Sequence, residues 1–208
     1  MVYCLNLKML LKLFEMLSIA AAVFNLILVF IAFGLVILLE RLFIKKWSEI
    51  NWQKRVGFLL LSVAFILFLP NIAYLFTDAR HIGDYCDFDF LHRCTNYPWM
   101  NLGYFVYGAL GIPFFLVSIR KYSQILGKVF HRSLKYSAPV ILIFLSALGV
   151  RIGLIERFNS WNILNEPLNI ITTALGHVIH FDGALYSFFG LLLVLYYWSW
   201  FVLDRFSS

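Results

Sequence analysis

SIAAAVFNLILVFIAFGLVILL, residues 18–39, carries no charge and a single amide, Asn25. It lies inside a run of 24 uncharged residues, 16–39, bounded by Glu15 and Glu40. A helix that crosses a bilayer needs about 20 mostly apolar residues, each rising 1.5 Å. The run is long enough. The same test, carried outward along the chain, finds 22 uncharged residues between Arg55 and Asp78, 26 between Arg93 and Arg120, and 21 between Asp182 and Asp204. These gaps predict spans near 18–39, 56–76, 99–119 and 183–203. A shorter gap predicts a fifth span over 138–155, provided Arg151 is accommodated near its end by snorkelling or by an opposite charge.

The composition agrees. Hydrophobic residues make up 62% of the 208 and charged residues 13%, against roughly 45–50% and about 25% in soluble domains. A disordered chain, a collagen-like fibre and a disulfide-stapled miniprotein are excluded. The fold class is therefore all-α: a polytopic integral membrane helix bundle forming one transmembrane domain. Leu5–Phe14, with Lys8 and Lys12 on one face, reads as an interfacial lead-in to the first helix. Residues 163–180 are harder to place. Leu164, Leu168, Ile171, Leu175, Val178 and Ile179 recur at helical spacing, yet polar residues stand between them. An amphipathic helix that lies in the interface or re-enters the bilayer fits this pattern. The alternative is a sixth span.

The loops give the orientation. Residues 40–55 hold Arg41, Lys45, Lys46, Lys54 and Arg55 against two Glu, and residues 120–135 hold five basic residues and no acid. The loop 77–98 holds Asp78, Asp84, Asp87 and Asp89 against Arg80 and Arg93. Basic residues near helix ends stay in the cytoplasm. The two basic loops are thus expected inside and loop 77–98 outside. The net charge of +6 is then mostly a topology signal, and no nucleic-acid partner is expected, since that would need a basic soluble surface. Cys86 and Cys94 both fall in the outer loop, where an oxidising compartment permits a disulfide; two free thiols are the alternative.

Polar residues concentrate at the outer ends of the second and fourth spans. Pro70 and Asn71 interrupt the second span, and a proline there removes a backbone hydrogen bond and bends the helix. Tyr74, Asp78 and His81 follow at i, i+4 and i+7, one face of a continuing helix. In the fourth span Arg151 calls for a counter-ion, and Asp78 is the first candidate because it is expected at the same depth. Gly149 and Gly153, also i,i+4, let a neighbouring helix approach closely. Glu156, Arg157, Asn159, Ser160, Trp161 and Asn162 follow at once. The last polar group is His177 and His180, spaced i,i+3, with Asp182 after them. With Asp78 and His81 these histidines would form a metal set, zinc for example, able to activate water. A hydrogen-bonded interface pair is the plainer reading of the same residues.

Two of these stretches carry a resemblance. LPNIAYLFTDARHI at 69–82 and RIGLIERFNSWNIL at 151–164 resemble the signature segments of a bacterial membrane family known as "domain of unknown function 1361". The matching positions are Pro70, Asn71, Tyr74, Thr77, Asp78 and His81, then Arg157, Phe158, Asn159, Ser160 and Trp161. The second segment departs from the family pattern at Glu156 and in the short spacing from Phe158 to Ser160. The resemblance implies a multi-spanning protein of the bacterial inner membrane and implies no activity.

No P-loop, GxGxxG, GxSxG, CxxC or HExxH motif occurs, and no extramembrane segment is long enough for a soluble catalytic domain. The residues favour an accessory or interaction protein that meets membrane lipids or a membrane protein partner through a polar site at the outer face. Binding there would fall to Asn71, Tyr74, Thr77, Arg151, Arg157, Asn159 and Trp161. A membrane-embedded hydrolase or transferase acting on a lipid-linked substrate is the alternative, with Asp78, His81 and Glu156 as its catalytic groups. A small transporter is the third. Whether the protein is an enzyme stays open at this level.

Overall fold

The structure is a computed structural model that describes residues 2–43, 51–77, 98–158 and 162–206, with the side chains of 2–19, 21, 98–101, 104, 162, 164 and 203–206 left aside. All regular elements among these residues are helices: α1 (Val2–Leu42), α2 (Trp52–Thr77), α3 (Pro98–Val129), α4 (Leu134–Ile155), α5 (Asn162–Asn165), α6 (Pro167–Ile179) and α7 (Gly183–Phe206). Among the described residues, four segments are long and apolar enough to cross a membrane: Ala22–Leu42, Trp52–Thr77, Leu134–Ile155 and Gly183–Val202. α3 is a helix of 32 residues that contains the expected 99–119 segment and continues to Val129.

The charge gaps locate the helices well but not their ends. α1 begins at Val2, so the Lys8/Lys12 segment and the span are one helix. Nothing between these residues stops a helix; lysine and leucine both favour it. The reading of one helix over 163–180 is corrected: it is two, α5 and α6, separated at Glu166 (φ −133°, ψ 55°). Pro167 is the cause. It disfavours the helical conformation in the residue before it and is well suited to start the next helix. Pro70, by contrast, does not break α2, which runs through it to Thr77.

α2 packs against α1, α3 and α4, and α4 also meets α3 and α7. Phe65, Leu69, Ile72 and Leu75 of α2 are fully buried, with Phe115 and Ile119 of α3, Ile143 and Ala147 of α4, and Leu185 and Leu192 of α7 in the same core. Two glycines allow these contacts. A Cβ on Gly149 of α4 would lie 2.7 Å from the Pro70 ring, and one on Gly111 of α3 would lie 2.8 Å from the Phe76 ring. Close approach at small residues is how helices associate where lipid removes the hydrophobic drive.

The two ends of the bundle are distinct. At one, Lys121 of α3 is paired with Glu40 of α1, and Arg120 and Lys135 stand 4.6 and 5.6 Å over the Trp200 ring of α7. At the other, Arg151 near the end of α4 meets Asp182 at the start of α7. α4 and α7 are therefore antiparallel neighbours, and the chain between them leaves and returns at the same end. α6 has 13 residues, about 20 Å of helix, well short of the roughly 30 Å hydrocarbon core.

The Gly149 contact yields a direct test. Gly149→Ala should destabilise the bundle by about 1–3 kcal/mol, the usual cost of overpacking. Gly34→Ala, where an added Cβ meets nothing within 4 Å, should be neutral or slightly stabilising. Thermal unfolding in one detergent compares them; equal melting temperatures would contradict the packing.

Candidate functional site

The Arg151 end is built by local structure around Asp182. α6 closes with a Schellman-type turn, in which Asp182 N–H donates to the His177 carbonyl (3.1 Å) and Phe181 N–H to the Val178 carbonyl (3.4 Å). The left-handed position of this turn is normally glycine; here Phe181 holds it at φ 53°. Its ring stacks on Tyr186, centroids 4.6 Å apart, and the Tyr186 hydroxyl donates to the Val178 carbonyl at 3.3 Å. Arg157 at the end of α4 is likewise left-handed, at φ 56°. Left-handed, non-glycine residues thus stand at both ends of the segment that carries α5 and α6.

The turn leaves Asp182 between α6 and α7 with both oxygens engaged. Oδ1 accepts from the backbone N–H groups of Ala184 (3.0 Å) and Leu185 (3.4 Å), capping α7. Oδ2 accepts from Arg151 Nε at 2.6 Å and from His177 Nδ1 at 2.8 Å. The Arg151 hydrogen bond leads in holding the Asp182 carboxyl down at about 2. An ionised carboxylate can only accept, so His177 carries its proton on Nδ1. One carboxylate thereby joins α4, α6 and α7, and among the described residues the carboxylate that reaches Arg151 is Asp182. Asp78, the partner expected from depth alone, lies outside the described residues.

Beside this knot is a cavity of about 390 Å³ between α1, α2, α4 and the α5–α6 segment. α2 contributes Ile66, Leu67, Pro70, Asn71 and Tyr74, one face of the helix; α4 contributes a matching face from Leu145 to Gly153. Asn25 and Leu28 of α1 close one side, and Ile170 and Ala174 of α6 form the cover. The Tyr74 ring lies 3.7 Å from where a Cβ on Gly153 would be. The i,i+4 pair Pro70/Tyr74 therefore packs on the i,i+4 pair Gly149/Gly153. His177, i+3 from Ala174 and i+7 from Ile170, shares the cover face.

α6 turns an apolar stripe away from the bundle. Leu168 (77% exposed), Ile171, Leu175 and Ile179 (71%) point away from the protein, and no residue of α6 is fully buried. Its half-buried Ile170, Thr173, Ala174, His177 and Val178 face inward, with Val178 packed against the core.

The other expected site residues are placed as follows. Asn71 donates through Nδ2 to the Phe68 carbonyl at 3.1 Å and lines the cavity. Thr77 donates to the Tyr74 carbonyl at 2.8 Å, closing the last turn of α2. Glu156 and Arg157 are exposed at the rim, and so is His180. His81, Cys86, Cys94, Asn159, Ser160 and Trp161 lie outside the described residues, as Asp78 does. Among the described residues no three His, Cys, Asp or Glu side chains gather to hold a metal ion. Asn25, the single amide of its span, and Ile170 and Ala174 were not expected as site residues, because only the fold brings them to one cavity.

The Asp182 knot makes a pH prediction with a definite sign. The carboxyl is depressed in the fold from 3.8 to about 2. Its stabilisation is therefore complete above about pH 4 and disappears as the pH falls toward 2. Asp182→Asn should melt several degrees below wild type at pH 5, and the gap should narrow at pH 3. A gap that widens on acidification would contradict the assignment.

Comparison with known proteins places this architecture. A family model described as "Protein of unknown function (DUF1361)" matches residues 24–197. The match runs from α1 into α7 and contains the cavity, the Asp182 knot and both signature segments. No curated protein and no solved structure matches the chain. The family match covers 174 of the 208 residues, counting from 24 to 197 inclusive, and the chain belongs to the DUF1361 family.

Proposed function

We propose that the chain is a five-span protein of the bacterial cytoplasmic membrane that works as a binding or accessory protein, holding its ligand or partner at the outer end of the bundle. The spans are taken as α1, α2, α3, α4 and α7. The basic segments 40–55 and 120–135 then lie inside, where positive charge is retained, and Asp182 and loop 77–98 lie outside. The shortness of α6 and the antiparallel pairing of α4 with α7 support five crossings over six.

The observation that carries the reading is the cavity under a short cover helix of which no residue is fully buried. A helix that served only to finish the bundle would bury an apolar face in it. α6 buries no residue fully, sends Leu168, Ile171, Leu175 and Ile179 outward, and is fastened at one end through His177 and Asp182. A cover of this kind can yield to an occupant without dismantling the core beneath it.

A second reading draws on the same geometry. With Nδ1 bound to Asp182, the Nε2 of a neutral His177 is an acceptor, the arrangement a general base requires. This keeps a transferase or hydrolase acting on a lipid-linked substrate in view, with His177 rather than Glu156 as its base.

Native mass spectrometry after mild solubilisation tests the first reading. Wild type should carry an added mass, lipid or protein, and Ala174→Phe, which fills the cavity, should lose it. A wild-type protein that emerges as a bare monomer in several mild detergents would contradict a binding role.

A further inference from the structure

Resting on the binding role just proposed, the geometry points to the ligand class: we infer that the cavity under α6 holds one acyl chain of an outer-leaflet lipid. The argument is one of depth. On α2 the lining residues run from Ile66 to Tyr74, and the uncharged stretch runs to Thr77, beside Asp78. At 1.5 Å per residue they lie about 5–17 Å below its end. On α4 the lining runs from Leu145 to Gly153 and the helix ends at Ile155, about 3–15 Å below its end. Half of a roughly 30 Å hydrocarbon core is about 15 Å. The cavity therefore spans the hydrocarbon of a single leaflet and has the length for a chain lying along the bundle axis.

The cover helix supports the same depth. Leu168, Ile171, Leu175 and Ile179 are exposed on its outward face. Four large aliphatic side chains in one stripe on a 13-residue helix are at home against lipid tails and not in water. With α6 lying against the tails, a molecule reaching the cavity from the side comes through lipid. Its volume, about 390 Å³, falls in the range of about 300–1,000 Å³ usual for small-molecule sites.

The wall also carries polar side chains, Asn25, Asn71 and Tyr74, where a pocket for hydrocarbon alone would need none. Lipid tails are as apolar as the protein surface, so selection of one lipid from the bilayer must come from packing and from polar contacts. Tyr74, the lining residue of α2 nearest its outer end, carries a phenol that suits the ester or hydroxyl at the top of an acyl chain. A guanidinium has five N–H donors, so Arg151 can serve Asp182 and also meet an anionic headgroup at the rim.

The test uses full-length protein in vesicles of phosphatidylcholine and phosphatidylglycerol containing a trace of phosphatidylglycerol with a photoactivatable diazirine in its acyl chain. After illumination, labelled positions are mapped by peptide mass spectrometry. The inference expects label on the bundle-facing residues 70–74 and 148–153, falling severalfold in Ala174→Phe and in Ile170→Trp. Melting temperatures of both variants show that they are folded. Label confined to outward residues such as Ile141 and Val194 overturns the acyl site. If native mass spectrometry then still finds a protein partner, the binding role survives that result. If it finds no bound mass, both fall.

Discussion

Both oxygens of the Asp182 carboxylate are spoken for by groups from three helices: the first N–H groups of α7, the guanidinium near the end of α4 and the imidazole in the last turn of α6. In water such contacts are weakened by screening. At the edge of a bilayer, ionised groups are costly unless each finds a partner, and the geometry supplies one for each. The left-handed Phe181 is part of the same arrangement. It costs backbone strain where glycine would not, and it turns the chain sharply enough for Asp182 to face back toward Arg151. The position of α6 over the bundle follows from that turn and that carboxylate.

What lies under α6 is set by a second constraint, the approach of α2 to α4. Pro70 fits against Gly149 with no space for a Cβ between them, and one turn further Tyr74 lies on Gly153. The two helices are drawn together along this seam, and on its flank α1 and α6 complete the wall of the cavity. The proline is thus a packing element within a continuous helix. The cavity has mostly apolar walls, a few polar groups and a cover with an apolar outward stripe, the features on which the proposed acyl-chain site rests.

Much of this was legible in the sequence. Spacing between charges found the helices, because a bilayer forbids unpaired charge over the length of a span. Gly149 and Gly153 were recognised as a close-approach pair from spacing alone. The helix ends were not legible, since the residues beyond each span are still good helix formers: Lys8 and Lys12 continue α1, and Lys121 to Lys128 continue α3. The demand of Arg151 for a carboxylate was clear, but the choice was not. Asp78 and Asp182 are both expected at one depth, and sequence gives depth without direction. A signal was present in the chain order: Arg151 stands near the end of one expected span and Asp182 just before the start of another. Of the cavity walls, Pro70, Asn71 and Tyr74 of α2 and Gly149 and Gly153 of α4 were marked in the sequence, while those from α1 and α6 had no signature.

The central claim is that α6 is a cover lying in hydrocarbon, with its apolar stripe toward the tails. Spin labels at Leu175 and, as an aqueous reference, at Ser133 decide it in reconstituted vesicles. Power saturation compares access of oxygen, which concentrates in the bilayer, with access of a water-soluble nickel chelate. The account predicts that the label at Leu175 is relaxed by oxygen and shielded from nickel, the reverse of Ser133. Nickel access at Leu175 equal to that at Ser133 would place α6 in water and contradict it.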